Sequence, residues 1–242
     1  MSPVVEARHE YRPSWKCDMN IARRGSATFM SPVVEARHKC RGTRLYKEIM
    51  KSICVFCGSS DLVHADYINA AYQTGKLLAG KGIRLVYGGG KTGLMGAVAN
   101  GAVEAGGEVI GIIIPSMNTV ALAHTGLTRM DVAPDMHGRK ARMHELADGY
   151  IALPGGFGTW DELFETITWA QTGAHEKPVG LLNVRNYYDR LLAAMDHAVA
   201  EGFVFSEHRK VICCESDPGR LLAAMGKYEH PREAVKRWLK EE

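Results

Sequence analysis

The chain lacks a strong charge of either sign. Thirty Lys and Arg stand against 27 Asp and Glu over 242 residues, a net charge of +3. Much of the basic excess lies in the first 47 residues. The remaining body is close to neutral and carries no basic stripe, so a nucleic-acid partner is not expected. A long apolar run is lacking too. None approaches the roughly 18 residues that cross a bilayer, so no membrane partner is expected. Metal-ligand spacing of His, Cys, Asp and Glu is absent, and neither a metal nor another cofactor is expected. With six cysteines and no secretory leader, the composition points to reduced thiols and a cytoplasmic protein. Cys54-Val-Phe-Cys57 has C-x-x-C spacing but no second pair. On a strand those two side chains point to opposite faces, which favours structural thiols over a redox or zinc site.

What is present divides at about residue 50. Met1–His9 reads MSPVVEARH and recurs letter for letter at Met30–His38. Two copies without a periodic apolar face do not make a solenoid. Residues 1–49 are Arg-rich, without apolar periodicity, and are expected to be a disordered extension. From residue 50 to 242 a single domain is expected, in which short apolar runs alternate with helical patterns. The runs at 53–56, 83–87, 109–114, 150–153, 179–182 and 211–214 predict strands. Helical patterns follow at 65–79, 94–105, 136–147, 159–172 and 187–201, and Pro231 is expected at the first position of a terminal helix. The stretch 116–134 reads as a long irregular loop. This alternation predicts an α/β fold, a Rossmann-like three-layer sandwich with a mainly parallel sheet and helices on both faces. The small residues of 94–105 would let that helix lie close to the sheet.

Ligands of such folds bind outside the carboxyl ends of the strands. Turns at Gly58-Ser59-Ser60, Gly88-Gly89-Gly90 and Gly155-Gly156 fall at such ends and are expected to converge. The last lies in Pro154-Gly-Gly-Phe-Gly-Thr-Trp-Asp-Glu162, a strand running into a glycine turn and then a helix. Backbone N–H groups and the positive end of the helix dipole meet there, so the turn predicts an anion site, most naturally for a phosphate. Glu162, one turn into the helix, would face the same mouth. Competing with this, Thr159 and Glu162 have the spacing of a capping box. Glu162 and Glu165 share a helix face. Gly88–Gly96 fails the P-loop spacing yet has more glycine than a tight turn needs, and reads as a phosphate or nucleotide signal. Arg139 in Gly138-Arg139-Lys140 could fork onto a phosphate; by spacing alone, a solvated charge at a helix end is the simpler reading. Histidines such as His124, His137 and His144 read as structural.

In combination, Gly-Gly-Gly-x-x-Gly-Leu-Met-Gly at 88–96, Met-His-x-Arg-Lys at 136–140 and Pro-Gly-Gly-x-Gly-Thr-x-x-Glu at 154–162 resemble the LONELY GUY family. Its members are cytokinin riboside 5′-monophosphate phosphoribohydrolases, often labelled lysine decarboxylases. The resemblance runs from about Ile53 to about Ile212. It implies hydrolysis of a purine nucleoside 5′-monophosphate (AMP or N6-prenyl-AMP) to free base and ribose 5-phosphate, by a homodimer. It implies Arg139 and Glu162 as catalytic residues. Substrate contacts carried over are Arg139, Lys140, Gly156, Phe157, Gly158, Thr159, Trp160, Asp161, Glu162 and Thr168. Gly58, Ser59, Gly89, Gly90, Met95 and Gly155 join them from the glycine turns. Two positions depart from the family pattern: Gly138 where Gln is common, and Ala121 where a substrate-contacting Glu is common. A non-catalytic nucleotide or cofactor carrier on the same scaffold would keep the turns without needing Glu162. A decarboxylase would need a Schiff-base lysine, and the sequence shows no recognisable setting for one.

Overall fold

The computed structural model describes residues 50–240. The expectation for residues 1–49 lies outside the described residues. Seven strands form one sheet: β1 (Ser52–Phe56), β2 (Arg84–Tyr87), β3 (Val109–Ile113), β4 (Arg129–Val132), β5 (Gly149–Ala152), β6 (Val179–Leu182) and β7 (Ile212–Glu215). Their order is β4-β3-β2-β1-β5-β6-β7, and every pairing between them is parallel. Eight helices connect and follow them: α1 (Ala65–Gly80), α2 (Gly93–Glu104), α3 (Met136–Leu146), α4 (Phe157–Gln171), α5 (Asp189–Ala200), α6 (Ser206–Arg209), α7 (Pro218–Met225) and α8 (Arg232–Leu239).

Strand residues alternate between two cores, as the period of a strand requires. Ile53, Val55, Leu85 and Tyr87 pack with α1, α2 and α7 through Leu78, Leu94, Val98 and Leu221. Cys54, Phe56, Val86 and Tyr150 pack with α3 and α4 through Met143, Leu163 and Ala170. A sheet buried on both faces explains why the runs are continuously apolar. Cys54 and Cys57 fall in opposite layers, as their spacing predicts. The small residues of α2 serve a helix neighbour as well as the sheet. A Cβ on Gly101 would lie 2.1 Å from the Tyr72 carbonyl oxygen of α1, so glycine sets how closely the two helices approach.

Three expectations need correction. The stretch 116–134 is not wholly irregular, because it holds β4. That strand pairs only with β3 at the sheet edge and has no fully buried residue, so its Arg-Met-Asp-Val sequence carries no continuous apolar run. Pro231 stands just before α8, whose first residue is Arg232. The proline-first arrangement belongs instead to α7, where Asp217 caps the helix and Pro218 opens it. Thr159 is not an N-cap: α4 begins at Phe157, Gly156 caps it without a side-chain bond, and Thr159 is buried in the first turn.

The chain winds outward from β1 to β4, then returns to lay β5 on the free side of β1. The order in which strands are added therefore reverses between β1 and β5, while every strand keeps the same direction. Beyond the carboxyl ends of those two strands the connecting chains part and leave a crevice.

Candidate active site

The crevice encloses about 520 Å³. Gly58 and Ser59 after β1, Gly88 and Gly90 after β2, Ile113 at the end of β3, and Gly156, Phe157, Gly158 and Thr159 after β5 line it. Arg139 and Lys140 from α3, Asp161 and Glu162 from α4, and Met95 from α2 complete the polar and apolar walls. The three glycine and serine turns thus meet. A larger, more open groove of about 820 Å³ runs along β4 and α3 from Met130 to Glu145, and contains none of those turns.

Three helices start at this crevice, and their first-turn N–H groups have different fates. In α2 the Gly93 N–H donates to Asp61 Oδ1 at 2.7 Å, and those of Leu94 and Met95 donate to the Gly58 carbonyl at 3.0 and 3.3 Å. In α3 the Asp135 carboxylate accepts from the Gly138 N–H at 2.7 Å. α4 differs: its N-cap is Gly156, which has no side chain to offer, and among the described residues no neighbouring group takes up its first amides. The N–H groups of Phe157, Gly158 and Thr159 precede any intrahelical acceptor and are available to an anion. Gly88–Gly96, for all its glycine, does not offer its helix amides.

Arg139 and Glu162 meet across the crevice. Arg139 Nη1 donates to Glu162 Oε1 at 3.1 Å, and the two side chains are only 10% and 12% exposed. Arg139 Nε donates to the Ile112 carbonyl at 2.9 Å and Nη2 to the Gly88 carbonyl at 3.4 Å. The guanidinium is thus fixed by the ends of two strands, not solvated at a helix end. A Cβ on Gly88 would lie 2.0 Å from Nη2 and 2.6 Å from Met95 Cε, so glycine here makes room for the arginine. Burial pushes the Glu162 carboxyl above the ordinary glutamate range, and the adjacent guanidinium opposes that rise without cancelling it.

The Lys140 ammonium is committed to Glu165 at 3.0 Å and Asp161 at 3.1 Å. Burial alone would lower its pKa, but the bonds to Glu165 and Asp161 outweigh burial and raise it. A Schiff-base lysine must shed its proton, and the lysine that lines this crevice is held protonated. The residues therefore do not suit pyridoxal chemistry. Among the described residues, no group of three or more His, Cys, Asp and Glu is placed to hold a metal.

Several sequence candidates lie off the crevice wall. Thr168 is exposed and its hydroxyl donates back to the Phe164 carbonyl within α4. Trp160 packs edge-on against Phe157, with ring centroids 5.6 Å apart. Gly89 turns against Met130 and Ile113. Gly155 sits behind the turn, its carbonyl accepting from the Tyr187 hydroxyl. Sequence reasoning passed over Met117, Leu122 and Met136, which line the apolar side of the crevice. Met117 and Leu122 come from the connection read as a loop around the site, and their exposure of 40% and 45% has no periodic signature.

Comparison with known proteins agrees with this architecture. A family model described as possible lysine decarboxylase matches residues 95–225, more than half of the chain. The probable cytokinin riboside 5′-monophosphate phosphoribohydrolase LOGL1 of Oryza sativa subsp. japonica is 44% identical over 183 residues, covering 76% of this chain and 82% of that protein. The corresponding LOG3 enzyme of Arabidopsis thaliana is 43% identical over 198 residues, covering 81% and 92%. That of Rhodococcoides fascians is 46% identical over 175 residues, covering 72% and 88%. Among solved structures, the molybdenum cofactor binding protein of Rippkaea orientalis superimposes with a TM-score of 0.57 at 26% identity, covering 74% of this chain and 98% of that one. Fold, motifs and extended identity lead to one conclusion: the chain belongs to the LONELY GUY family of cytokinin riboside 5′-monophosphate phosphoribohydrolases.

Proposed function

We propose that this chain hydrolyses the N-glycosidic bond of a purine nucleoside 5′-monophosphate, of the AMP or N6-prenyl-AMP class, to free base and ribose 5-phosphate. The observation that carries the reading is a buried Arg139–Glu162 pair in the same crevice as the uncapped start of α4. The 5′-phosphate sits on the N–H groups of Phe157, Gly158 and Thr159. Glu162 lies about one helical turn further on, a rise of ~5.4 Å, which is the scale of a ribose ring. Its carboxylate is thereby set beside the anomeric carbon.

Cleavage of a nucleoside passes through an oxocarbenium-like sugar. The Glu162 carboxylate stabilises that cation and orients the attacking water, whose oxygen bonds to C1′ as the bond to the base nitrogen breaks. One water proton passes to the carboxylate and is relayed on to the nitrogen of the departing base, which leaves neutral and restores the carboxylate. Arg139 binds Oε1 and leaves Oε2 outside that bond. Of the acids that line the crevice, Asp161 is tied to Lys140, which leaves Glu162 for the chemistry. Ala121 supplies no carboxylate beside Leu122 on the facing loop, so this chain works with fewer acids than the family pattern. Met117, Leu122 and Met136 form an apolar wall suited to a base or its N6 substituent. The active unit is a homodimer, as the family resemblance implies, and a cytoplasmic one, as the cysteine usage suggests.

A carrier has no evident use for a buried ion pair aimed at a sugar, which makes that reading the weaker one. Incubation with AMP, N6-isopentenyl-AMP and adenosine, with chromatography of the free base, tests the proposal. Base release that depends on the 5′-phosphate is the expected result. Tight nucleotide binding without base release would instead support the carrier.

A further inference from the structure

The turn that precedes α4 is held in part by Tyr187 and Tyr188, which no motif includes. Four consecutive carbonyls leave the crevice, and each has a partner. The Leu153 carbonyl accepts from the Tyr188 hydroxyl at 2.6 Å. The Pro154 carbonyl accepts from the Gly58 N–H at 3.1 Å. The Gly155 carbonyl accepts from the Tyr187 hydroxyl. The Gly156 carbonyl accepts from the Trp160 N–H at 3.1 Å, the first bond of α4.

The peptide bonds are all trans. In a trans peptide the N–H points opposite to the C=O of the same unit. Anchoring the Gly155 carbonyl on Tyr187, behind the turn, therefore turns the Gly156 N–H toward the crevice that Gly156 lines. It joins the three free amides of the α4 first turn. A glycine pair has the least intrinsic reason to keep one peptide orientation, so an external anchor has work to do here.

The anchor is itself constrained. Tyr187 follows Arg185 and Asn186, two non-glycine residues with left-handed φ of 51° and 59°. Such strain persists where surrounding bonds over-determine it, and it gathers at functional positions. Here Arg185 Nη1 donates to Asp66 on α1 at 2.8 Å, and the Asn183 side chain accepts from the Tyr188 N–H at 2.8 Å. The Tyr187 ring packs edge-on against Tyr67 and Tyr188, with centroids 6.0 and 5.0 Å away. The result is a rigid post on the β6–α5 connection whose tip is one hydroxyl.

We infer that Tyr187 is a positioning residue for phosphate recognition: its hydroxyl fixes the Gly155–Gly156 peptide so that the Gly156 N–H completes the anion cradle. The inference rests on the phosphate-first reading of the crevice given above. Its test is Tyr187→Phe, which removes the hydroxyl and keeps the ring. Affinity for ribose 5-phosphate is measured by calorimetry, apart from turnover, together with KM and kcat for AMP, affinity for adenosine, and the thermal midpoint. The expected result is a rise of about three- to tenfold in both the ribose 5-phosphate Kd and the AMP KM, the scale of one hydrogen bond. The kcat and the adenosine affinity should stay within about twofold, as a lost ground-state contact requires. An unchanged ribose 5-phosphate Kd, with or without a lower thermal midpoint, overturns the inference by reducing Tyr187 to a structural contact. Equal weakening of adenosine and ribose 5-phosphate overturns it as well, and so does a wild-type protein that binds no ribose 5-phosphate. A wild-type protein that binds ribose 5-phosphate but releases no base sinks the hydrolase reading alone, and the Tyr187→Phe Kd still decides this one.

Discussion

Glu162→Gln removes one negative charge while keeping the side chain's size and an acceptor for Arg139. Two consequences can be worked out separately. For stability, the change relieves the burial penalty that raises the Glu162 pKa, and it also takes the counterion from a guanidinium only 10% exposed. These effects oppose each other. Arg139 keeps its bonds to the Ile112 and Gly88 carbonyls. A net cost within ~2 kcal/mol follows, against the ~3–5 kcal/mol of breaking a buried pair outright. That is a shift of several degrees in the thermal midpoint for a domain of this size. For turnover, a preorganised charge at a developing cation, combined with proton acceptance from water, contributes about 10²–10⁴ in rate. A fall of about 10³ in kcat, or ~4 kcal/mol of barrier, is expected. Ribose 5-phosphate affinity should hold or improve, since the lost charge repels the phosphate. The pH profile adds a signature. The reaction needs the carboxylate, and burial raises its pKa, so kcat should fall with decreasing pH from a higher point than an ordinary glutamate gives. The residual activity of Glu162→Gln should lack that acid limb. A folded Glu162→Gln protein that keeps more than about a tenth of wild-type kcat/KM refutes the assignment.

Further variants probe the same arrangement. Arg139→Lys keeps the charge, but one ammonium cannot span Ile112, Gly88 and Glu162; kcat/KM for AMP should fall about 10²-fold. Steady-state kinetics with a thermal melt will separate that loss from unfolding. Gly88→Ala places a Cβ 2.0 Å from Arg139 Nη2 without demanding an unusual φ, so activity should drop about tenfold or more at an overpacking cost of ~1–3 kcal/mol. Base-release assays on the folded variant check this, and full activity would place the arginine elsewhere. Burial holds His144 and His175 near a pKa of about 4, from an ordinary 6.5. Both are neutral in the fold and become charged in the unfolded chain below 6.5, so stability present above that pH is lost as pH falls toward 4. Thermal midpoints at pH 7, 6 and 5 should decline in order, and His175→Gln should flatten the decline.

The centre of the sheet was legible because β1, β2, β3, β5 and β6 are largely buried, and that burial writes unbroken apolar runs into the chain; β7 is a half-buried edge strand whose run Val211–Cys214 happens to be apolar as well. β4 was not, because Arg129–Val132 is bonded on one side only and half exposed on its faces. The acid at 162 was legible from its place one turn after a glycine junction. Its partner's burial was not. Arg139 and Glu162 are 23 residues apart, and they meet because β5 lies beside β1 while α3 and α4 pack on one face of the sheet. Topology of that kind leaves no spacing in the sequence. Thr159 misled for a related reason: its hydroxyl fits a capping pattern, yet the helix begins two residues earlier, at a glycine pair held by contacts from Gly58 and Tyr187.

Gly88–Gly96 shows why glycine content is a weaker guide to an anion site than an accounting of amides. A helix start attracts an anion only if its first N–H groups are not already used. The start of α2 has spent its amides on Asp61 and Gly58, and Gly58 is in turn anchored to Pro154. The glycines of 88–93 therefore act as spacers: they admit the Arg139 guanidinium and bring the ends of β1 and β2 together. The start of α4 keeps its amides because its carbonyls, not its N–H groups, are what the neighbouring residues bind. The same bonds that empty one helix terminus of binding capacity thus preserve it at the other. On the phosphate-first proposal, anion and acid then lie on a single helix, and the separation of phosphate from Glu162 is set by the pitch of α4 and not by the flexibility of a loop.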